Sequence, residues 1–149
     1  MKIRKAKKSD LKQYVNLVTK SNKEYQKIIG KKIKFTEKQI KKDFKEFTTS
    51  KNKVILLVED NKNMVGYLVA SLIINSYQKI GYIDYLFVDN SYRKKGIAKI
   101  LVREFTNLLK KKKIKKIKLG VNIKNNVAIN FYKNLGFKTY HYDMEKKIK

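Results

Sequence analysis

A strand, a basic turn with one glycine, and a helix follow one another between Gly81 and Ala98, in the sequence GYIDYLFVDNSYRKKGIA. Residues 80–88 are rich in β-branched and aromatic side chains, which favours a strand. After Gly96 the apolar residues recur at helical spacing: Ile97, Leu101, Phe105 and Leu108. Another strand is predicted at Ile114–Val121. A helix that joins two strands demands a parallel, right-handed crossover, so this junction constrains the fold most.

The start of this helix is a predicted phosphate-binding site. The first amides of a helix have no partner within the helix, and the helix dipole makes that end positive. Gly96 has no Cβ, so an anion can approach the backbone closely, and Arg93, Lys94 and Lys95 add positive charge. For the motif alone, a turn with solvated cations is the simpler interpretation. Its position between strand and helix favours a site for a di- or polyphosphate, without naming the ligand.

Two motifs together resemble the GNAT superfamily of acyl-CoA-dependent N-acyltransferases. The first family pattern is a strand followed by V-x-P-x-Y-R-x-x-G-x-G/A, and this chain has Val88, Tyr92, Arg93, Gly96 and Ala98. The second is N-x-x-A-x-x-(L/F)-Y-x-x-x-G-F, matched by Asn125, Ala128, Phe131, Tyr132, Gly136 and Phe137. The opening I-R-x-A-x-x-x-D-L, at residues 3–11, is also common in that family. Asn90 replaces the usual proline and Lys94 a frequent glycine, but backbone amides bind the phosphates.

The resemblance implies an α+β (mixed α/β) fold in a single domain, residues 1–149. It has a central mixed, mostly antiparallel sheet of about six to seven strands, flanked by about four helices. Strand and turn patterns predict strands at residues 2–6, 53–59, 64–74, 80–88, 114–121 and 137–144. Helices are predicted after Ser9-Asp10, after Thr36, from about Lys95 or Gly96, and at Ala128–Leu135. In the resembled fold the parallel strands, 82–88 and 115–121, splay apart and the pantetheine arm of CoA lies between them.

The resemblance also assigns the acetyl-CoA site. Backbone groups of Leu86, Phe87 and Val88 are expected to hold the pantetheine like an added strand, and an N–H near Val88 to polarise the thioester carbonyl. The pyrophosphate is assigned to the helix start: Arg93, Lys94, Lys95, Gly96, Ile97, Ala98 and Lys99. Asn125 either contacts the cofactor arm or fixes the turn into its helix.

Two residues are candidates for proton transfer. Tyr132 occupies the family's usual tyrosine position, which implies a general acid for the departing thiolate; a core aromatic is the other interpretation. A lysine-like amine has a pKa of about 10.4, so a base must accept its proton. Asp84 aligns with an acidic residue that is the base in some family members, and strand alternation places it on one face with Leu86 and Val88. A structural aspartate paired with a lysine is an equal alternative.

The composition limits the chemistry. With no cysteine and one histidine, a thiol nucleophile and a disulfide framework are excluded, and no metal site or Ser-His-Asp triad is expected. No apolar run is long enough to span a membrane, and no apolar signal core follows Lys2, Arg4 and Lys5, so a cytoplasmic protein is expected. The net charge is +26, yet only Arg4, Arg93 and Arg103 are arginine. That favours lysine-rich coding bias over selected nucleic-acid contacts, although nonspecific RNA binding at low salt is expected.

The sequence therefore predicts an enzyme that transfers an acetyl group from acetyl-CoA to a primary amine of a small molecule or protein, directly within a ternary complex. Leu119-Gly120-Val121 replaces the L-E-V of many peptide N-terminal acetyltransferases and lowers that possibility. The positive charge disfavours polycationic acceptors, unless Glu24, Asp84 and Glu59 form an acidic pocket. In the resembled family the acceptor site lies between the first strand and second helix, where Glu24 and Tyr25 either line it or sit on an exposed helix end. The alternatives are a basic RNA- or ribosome-binding module and a CoA sensor without transfer. The oligomeric state is open and includes a homodimer.

Overall fold

The computed structural model describes residues 1–148, and its β-branched runs form one five-stranded sheet in the order β1-β2-β3-β4-β5. The strands are β1 Lys2–Lys5, β2 Lys53–Asp60, β3 Asn63–Ile74, β4 Lys79–Val88 and β5 Ile117–Leu119. Neighbouring strands pair antiparallel except β4 and β5, which are parallel, as the helical crossover predicts. The helices are α1 Leu11–Ile29, α2 Glu37–Thr49, α3 Ile97–Lys111 and α4 Asn126–Asn134. Short 3₁₀ turns cover Lys8–Asp10 and Asn90–Tyr92.

The prediction of six to seven strands is wrong, because the sheet has five. Residues 137–144, predicted as the last strand, are not in a strand. Tyr140, Tyr142 and Met144 are all exposed there, so this segment has no apolar face buried against the sheet that would fix its register. β5 is also shorter than predicted, since Asn122 turns the chain by accepting hydrogen bonds from Lys124 and Asn125 soon after Leu119.

Helix α3 covers one face of the sheet. Its apolar residues repeat every turn, so Leu101, Phe105 and Leu109 are all buried in one cluster with the sheet. A Cβ at Gly81 would lie 2.6 Å from Leu109 Cδ1, so β4 can approach this helix closely only with glycine there. Tyr132 of α4 belongs to the same cluster.

Helices α1 and α2 cover the other face. The ring of Tyr14 on α1 lies 4.7 Å from that of Phe44 on α2 and 5.5 Å from that of Tyr67 on β3. Thr36 caps α2 as its sequence predicts, because its hydroxyl accepts a hydrogen bond from the amide of Gln39 at 3.2 Å. The sheet is thus a partition between two separately packed layers.

Candidate functional site

Strand β4 changes its pairing phase at Asp84. Tyr85 is opposite Val69 on β3 and Ile83 is opposite Ala70, so Asp84 is an extra residue, a β-bulge. Bulges bend a strand and re-aim its side chains, and they are frequent beside active sites. The parallel pairing with β5 covers only residues 81–83 and stops just before the bulge. Beyond it β4 continues alone on that side, which leaves a gap between β4 and the segment after β5.

The bulge also decides which backbone groups face the gap. The amide of Asp89 donates to Val65 O on β3 at 2.9 Å. Alternation along the strand then directs the amides of Val88 and Leu86 away from β3, towards the gap. Phe87, also predicted to bind cofactor, pairs with Tyr67 of β3 and buries its side chain under α1. The structure therefore brings Leu86 and Val88 to the gap, but not the Phe87 amide.

At the start of α3 the turn exposes backbone amides, as the sequence predicts. Lys94 and Gly96 both have left-handed backbones, with φ of 61° and 77°, and no side chain caps the helix. The helix begins at Ile97, so the amides of Ile97, Ala98 and Lys99 have no partner within the helix. This is the geometry of an anion site at a helix N-terminus.

The same turn forms one wall of a groove of about 350 Å³. We call it the cofactor groove; its lining residues are Val88, Tyr92, Arg93, Lys94, Gly96, Ile97, Ala98, Lys99, Phe131, Asn134 and Leu135. Six of the seven residues assigned to the pyrophosphate lie here, and the seventh, Lys95, places its ammonium over the ring of Tyr92 at 5.1 Å. The groove therefore joins the first motif to α4, which carries the second.

Arg93 lines the groove, but its guanidinium is occupied elsewhere. Its Nε donates to Val88 O at 2.8 Å, and one terminal nitrogen donates to Glu24 of α1 at 2.6 Å. Its Cζ also lies 5.5 Å from the centre of the Phe87 ring. Lys20 of α1 adds an ion pair with Asp89. Arg93 therefore fixes the end of β4 against α1, and Glu24 belongs to this ion-paired junction.

Asn125 and Tyr132 occupy the two ends of α4. Asn125 caps the helix by accepting a hydrogen bond from the amide of Ala128 at 3.1 Å, so it fixes the turn, one of the two roles expected. Tyr132 is only 9% exposed and its ring contacts those of Phe131 and Phe137. Burial raises the pKa of Tyr132 to about 12. No side-chain nitrogen or oxygen within residues 1–148 is both enclosed and unpartnered, and no described residue bonds this hydroxyl, so it reaches solvent.

The Asp84 carboxylate lies on the opposite face from the one predicted. Its Oδ2 accepts a hydrogen bond from Ser71 Oγ at 2.5 Å, and Lys53 Nζ donates to that same hydroxyl at 2.7 Å. Ser71 alternates with Ala70 and Leu72, which pack under α3, so it points towards α1 and α2. The predicted shared face with Leu86 and Val88 is wrong, because simple alternation does not hold across a bulge.

The Asp84 carboxylate lies at the end of a chain of hydrogen bonds that runs from Lys53 through Ser71. It is half-buried and forms no direct ion pair within the described residues; Lys53 reaches it only through the Ser71 hydroxyl. Burial raises the pKa of Asp84, while the hydrogen bond from Ser71 and the charge of Lys53 oppose that shift. Ser71 and Lys53 are site residues that the sequence reasoning missed. A serine in an otherwise apolar strand was the available signal.

Within residues 1–148 no group of three or more acidic, histidine or cysteine residues could hold a metal ion. None of the helices of that part of the chain is long and apolar enough to cross a bilayer.

Comparison with known proteins defines the class. The model of the acetyltransferase (GNAT) family matches residues 15–137, so the chain belongs to the GNAT family of acetyltransferases. A comparison with curated proteins found no significant match.

Solved structures share the whole fold. A tetramutant of the BH1408 protein from Bacillus halodurans is 24% identical with a TM-score of 0.88, over 99% of this chain and 100% of that chain. The aminoglycoside 6'-N-acetyltransferase AAC(6')-IG from Acinetobacter haemolyticus is 19% identical with a TM-score of 0.78, over 100% of both chains. The aminoglycoside N-acetyltransferase AAC(6')-Iy, in complex with CoA, is 16% identical with a TM-score of 0.80, over 99% of this chain and 94% of that chain. At these identities the likeness concerns the fold.

Proposed function

We propose that this protein transfers the acetyl group of acetyl-CoA to a primary amine of a small molecule or protein, directly within a ternary complex. The observation that supports this most is the presence of two backbone segments whose amides have no partner in a helix or a neighbouring strand. One lies at the start of α3 and the other along β4 after its bulge. The AAC(6')-Iy structure, which has the same fold, contains CoA. The cytoplasmic location stays a prediction from the sequence.

The two segments suit the two halves of acetyl-CoA. The amides of residues 97–99 would receive the pyrophosphate, and Lys94 and Lys99 on the groove wall add positive charge. Leu86 and Val88 would hydrogen-bond the pantetheine in the gap, as an added strand does. The Val88 N–H is then a donor for negative charge that develops on the thioester oxygen.

Two titratable residues, Asp84 and Tyr132, would carry out the proton transfers of the reaction. The amine nitrogen forms a bond to the acetyl carbon while the carbon–sulfur bond breaks. Asp84 would take the proton that the amine releases, directly or through water, since its raised pKa makes it a better base than an exposed aspartate. Tyr132 would donate a hydrogen bond, and then its proton, to the leaving thiolate. With a pKa of about 12 it stays protonated at neutral pH and is available as a donor.

The test is calorimetric titration with acetyl-CoA at moderate salt, with ATP as the control for unspecific anion binding. One-to-one binding of acetyl-CoA with much weaker binding of ATP is expected, followed by CoA release when a suitable amine is added. Binding of acetyl-CoA without transfer to any amine of a broad panel would indicate a CoA sensor. Equal, salt-sensitive binding of both ligands would indicate a basic surface for nucleic acid.

A further inference from the structure

The acidic residues of this basic protein are distributed unequally. Within residues 1–148, eight of the twelve form ion pairs with a lysine, an arginine or the N-terminal amine, and a ninth, Asp143, lies 3.1 Å from His141. Glu24 and Glu59, which the sequence suggested for an acidic pocket, pair with Arg93 and Arg4, so they do not form one. The three carboxylates that contact no lysine, arginine, histidine or terminal amine within 4.0 Å among the described residues are those of Asp43, Glu46 and Asp84.

These three carboxylates border one region of the α1–α2 face. Asp43 and Glu46 lie three residues apart on α2, next to Phe47. The Nζ of Lys53 is 4.8 Å from the centre of the Phe47 ring. Lys53 donates a hydrogen bond to the hydroxyl of Ser71, which in turn donates to Asp84. The side chain of Asp43 bonds only the neutral Gln39, at 2.6 Å, so its charge stays uncompensated.

A second observation concerns Tyr14 of α1, whose ring packs against that of Phe44, the neighbour of Asp43 on α2. Tyr14 is 4% exposed, yet none of the side-chain hydrogen bonds of the described residues includes its hydroxyl. No fully enclosed side-chain oxygen lacks a partner in that part of the chain, so the Tyr14 hydroxyl reaches solvent. The Tyr14 ring lies 4.7 Å from that of Phe44 and 5.5 Å from that of Tyr67, which places Tyr14 between α2 and the sheet. Burial raises the pKa of Tyr14, and the charge of Asp43 is among the causes that add to the shift.

Two further tyrosines, Tyr25 and Tyr85, have exposed side chains that border this region. Tyr85 follows the bulge and is 54% exposed, and Tyr25 of α1 is 36% exposed. Tyr85 is opposite Val69 of β3, which is buried under α1 and α2, so Tyr85 faces the same side of the sheet as Asp84. Burial raises the pKa of Tyr85, and the charges of Asp84, Asp43 and Tyr25 add to the shift. We call this region the amine cleft; its residues are Tyr14, Tyr25, Asp43, Asp84 and Tyr85.

We propose that the amine cleft takes a small acceptor with two ammonium groups, in which Asp84 receives the reacting amine and Asp43 holds the second one. The aromatic faces of Tyr25 and Tyr85 suit the apolar spacer between the two groups, and aromatic rings also attract ammonium ions. Elsewhere a surface with net charge +26 repels a dication, whereas Asp43 and Asp84, which form no direct ion pair among the described residues, attract it to this cleft. The inference rests on the proposed acetyl transfer and names its substrate class.

The experiment compares 1,4-diaminobutane with n-butylamine as acceptors at saturating acetyl-CoA. The wild-type protein is expected to have a kcat/KM at least about tenfold higher for the diamine. Asp43→Asn should remove this preference, with the loss falling on KM for the diamine rather than on kcat, because Asp43 binds the distant ammonium. Glu37→Gln is the matched control, since it removes one charge from the same helix at a residue already paired with Lys41, and it should retain the preference.

The outcomes separate this inference from the proposed function. Equal use of both amines by the wild-type protein would overturn the dication proposal and leave acetyl transfer intact, without depending on any variant. An Asp43→Asn protein that melts like the wild type and keeps the preference would also overturn it. Failure to acetylate any amine, or to bind acetyl-CoA, would instead contradict the proposed function.

Discussion

The cofactor groove and the amine cleft are built from different parts of the same chain. The groove relies on backbone amides at the start of α3 and along β4, whereas the cleft relies on the side chains of Asp43, Asp84 and the tyrosines. A backbone site tolerates changes of side chain, which is why Asn90 and Lys94 can depart from the family pattern. A side-chain site changes its ligand with a single substitution.

Gly96→Glu should have the largest effect on acetyl-CoA affinity, a loss of about 100-fold or more. It places a negative charge at the anion site and forces a side chain onto a backbone with φ of 77°. Calorimetry measures the loss. Gly136→Glu is the matched control, because Gly136 has φ of 87° and equally open surroundings but does not line the groove. Similar losses in both variants would assign the effect to strain and charge rather than to the groove.

Asp84→Asn should lower kcat by roughly 10²- to 10⁴-fold, because an amide cannot accept the amine proton. In the wild type, kcat/KM should rise with pH through the raised pKa of Asp84, since only the deprotonated base is active. The variant should lose this limb of the pH profile. Asp60→Asn, at a carboxylate that instead pairs with the N-terminal amine at 3.7 Å, should keep it.

The same substitution has a predicted effect on stability, in the opposite direction. Because the pKa of Asp84 is raised in the folded protein, protonation stabilises the fold at low pH, and this contribution is lost as pH rises through the folded pKa. At neutral pH the half-buried charge is a cost that asparagine removes. Thermal melting at pH 7 should therefore give a Tm for Asp84→Asn at or above that of the wild type, and a clearly lower Tm would show that the carboxylate is structural.

Tyr132→Phe should have the smallest of these effects, a fall of about 10- to 100-fold in kcat with acetyl-CoA affinity nearly unchanged. Phenylalanine keeps the ring contacts with Phe131 and Phe137 and removes only the hydroxyl, which has no bond to a described residue. Steady-state kinetics and calorimetry separate the two quantities. Tyr140→Phe, at an exposed tyrosine, is the control. An unaltered kcat would remove Tyr132 from the role of acid.

Local patterns predicted the elements that depend on neighbouring residues alone. The helix after Thr36, the strand at residues 80–88 and the start of α3 directly after Gly96 are confirmed. One wall of the cofactor groove could be predicted for the same reason, since its glycine, its cations and the start of its helix are consecutive in sequence.

The features that the sequence did not predict depend on contacts between distant residues. The bulge reversed the face of Asp84, and it is defined only by the pairing of β4 with β3. Arg93 was assigned to phosphate, but α1 crosses the turn and supplies Glu24, a carboxylate 69 residues away in sequence. The sequence gives no reason to choose Asp43 as a site residue, because nothing in the pattern of α2 indicates which part of the sheet this side chain approaches.

The gap beside β4 has a consequence for hydrogen exchange. An amide in a sheet exchanges slowly with deuterium when its ladder bond must open first. The amides of Leu86 and Val88 face the gap rather than a neighbouring strand, so in the ligand-free protein they should exchange faster than that of Phe87. A ligand that hydrogen-bonds to them as an added strand should slow the exchange of the amides of Leu86 and Val88 but not that of Phe87. Because the bulge at Asp84 determines which alternate amides face the gap, the positions of the protected amides would report the bulge in solution.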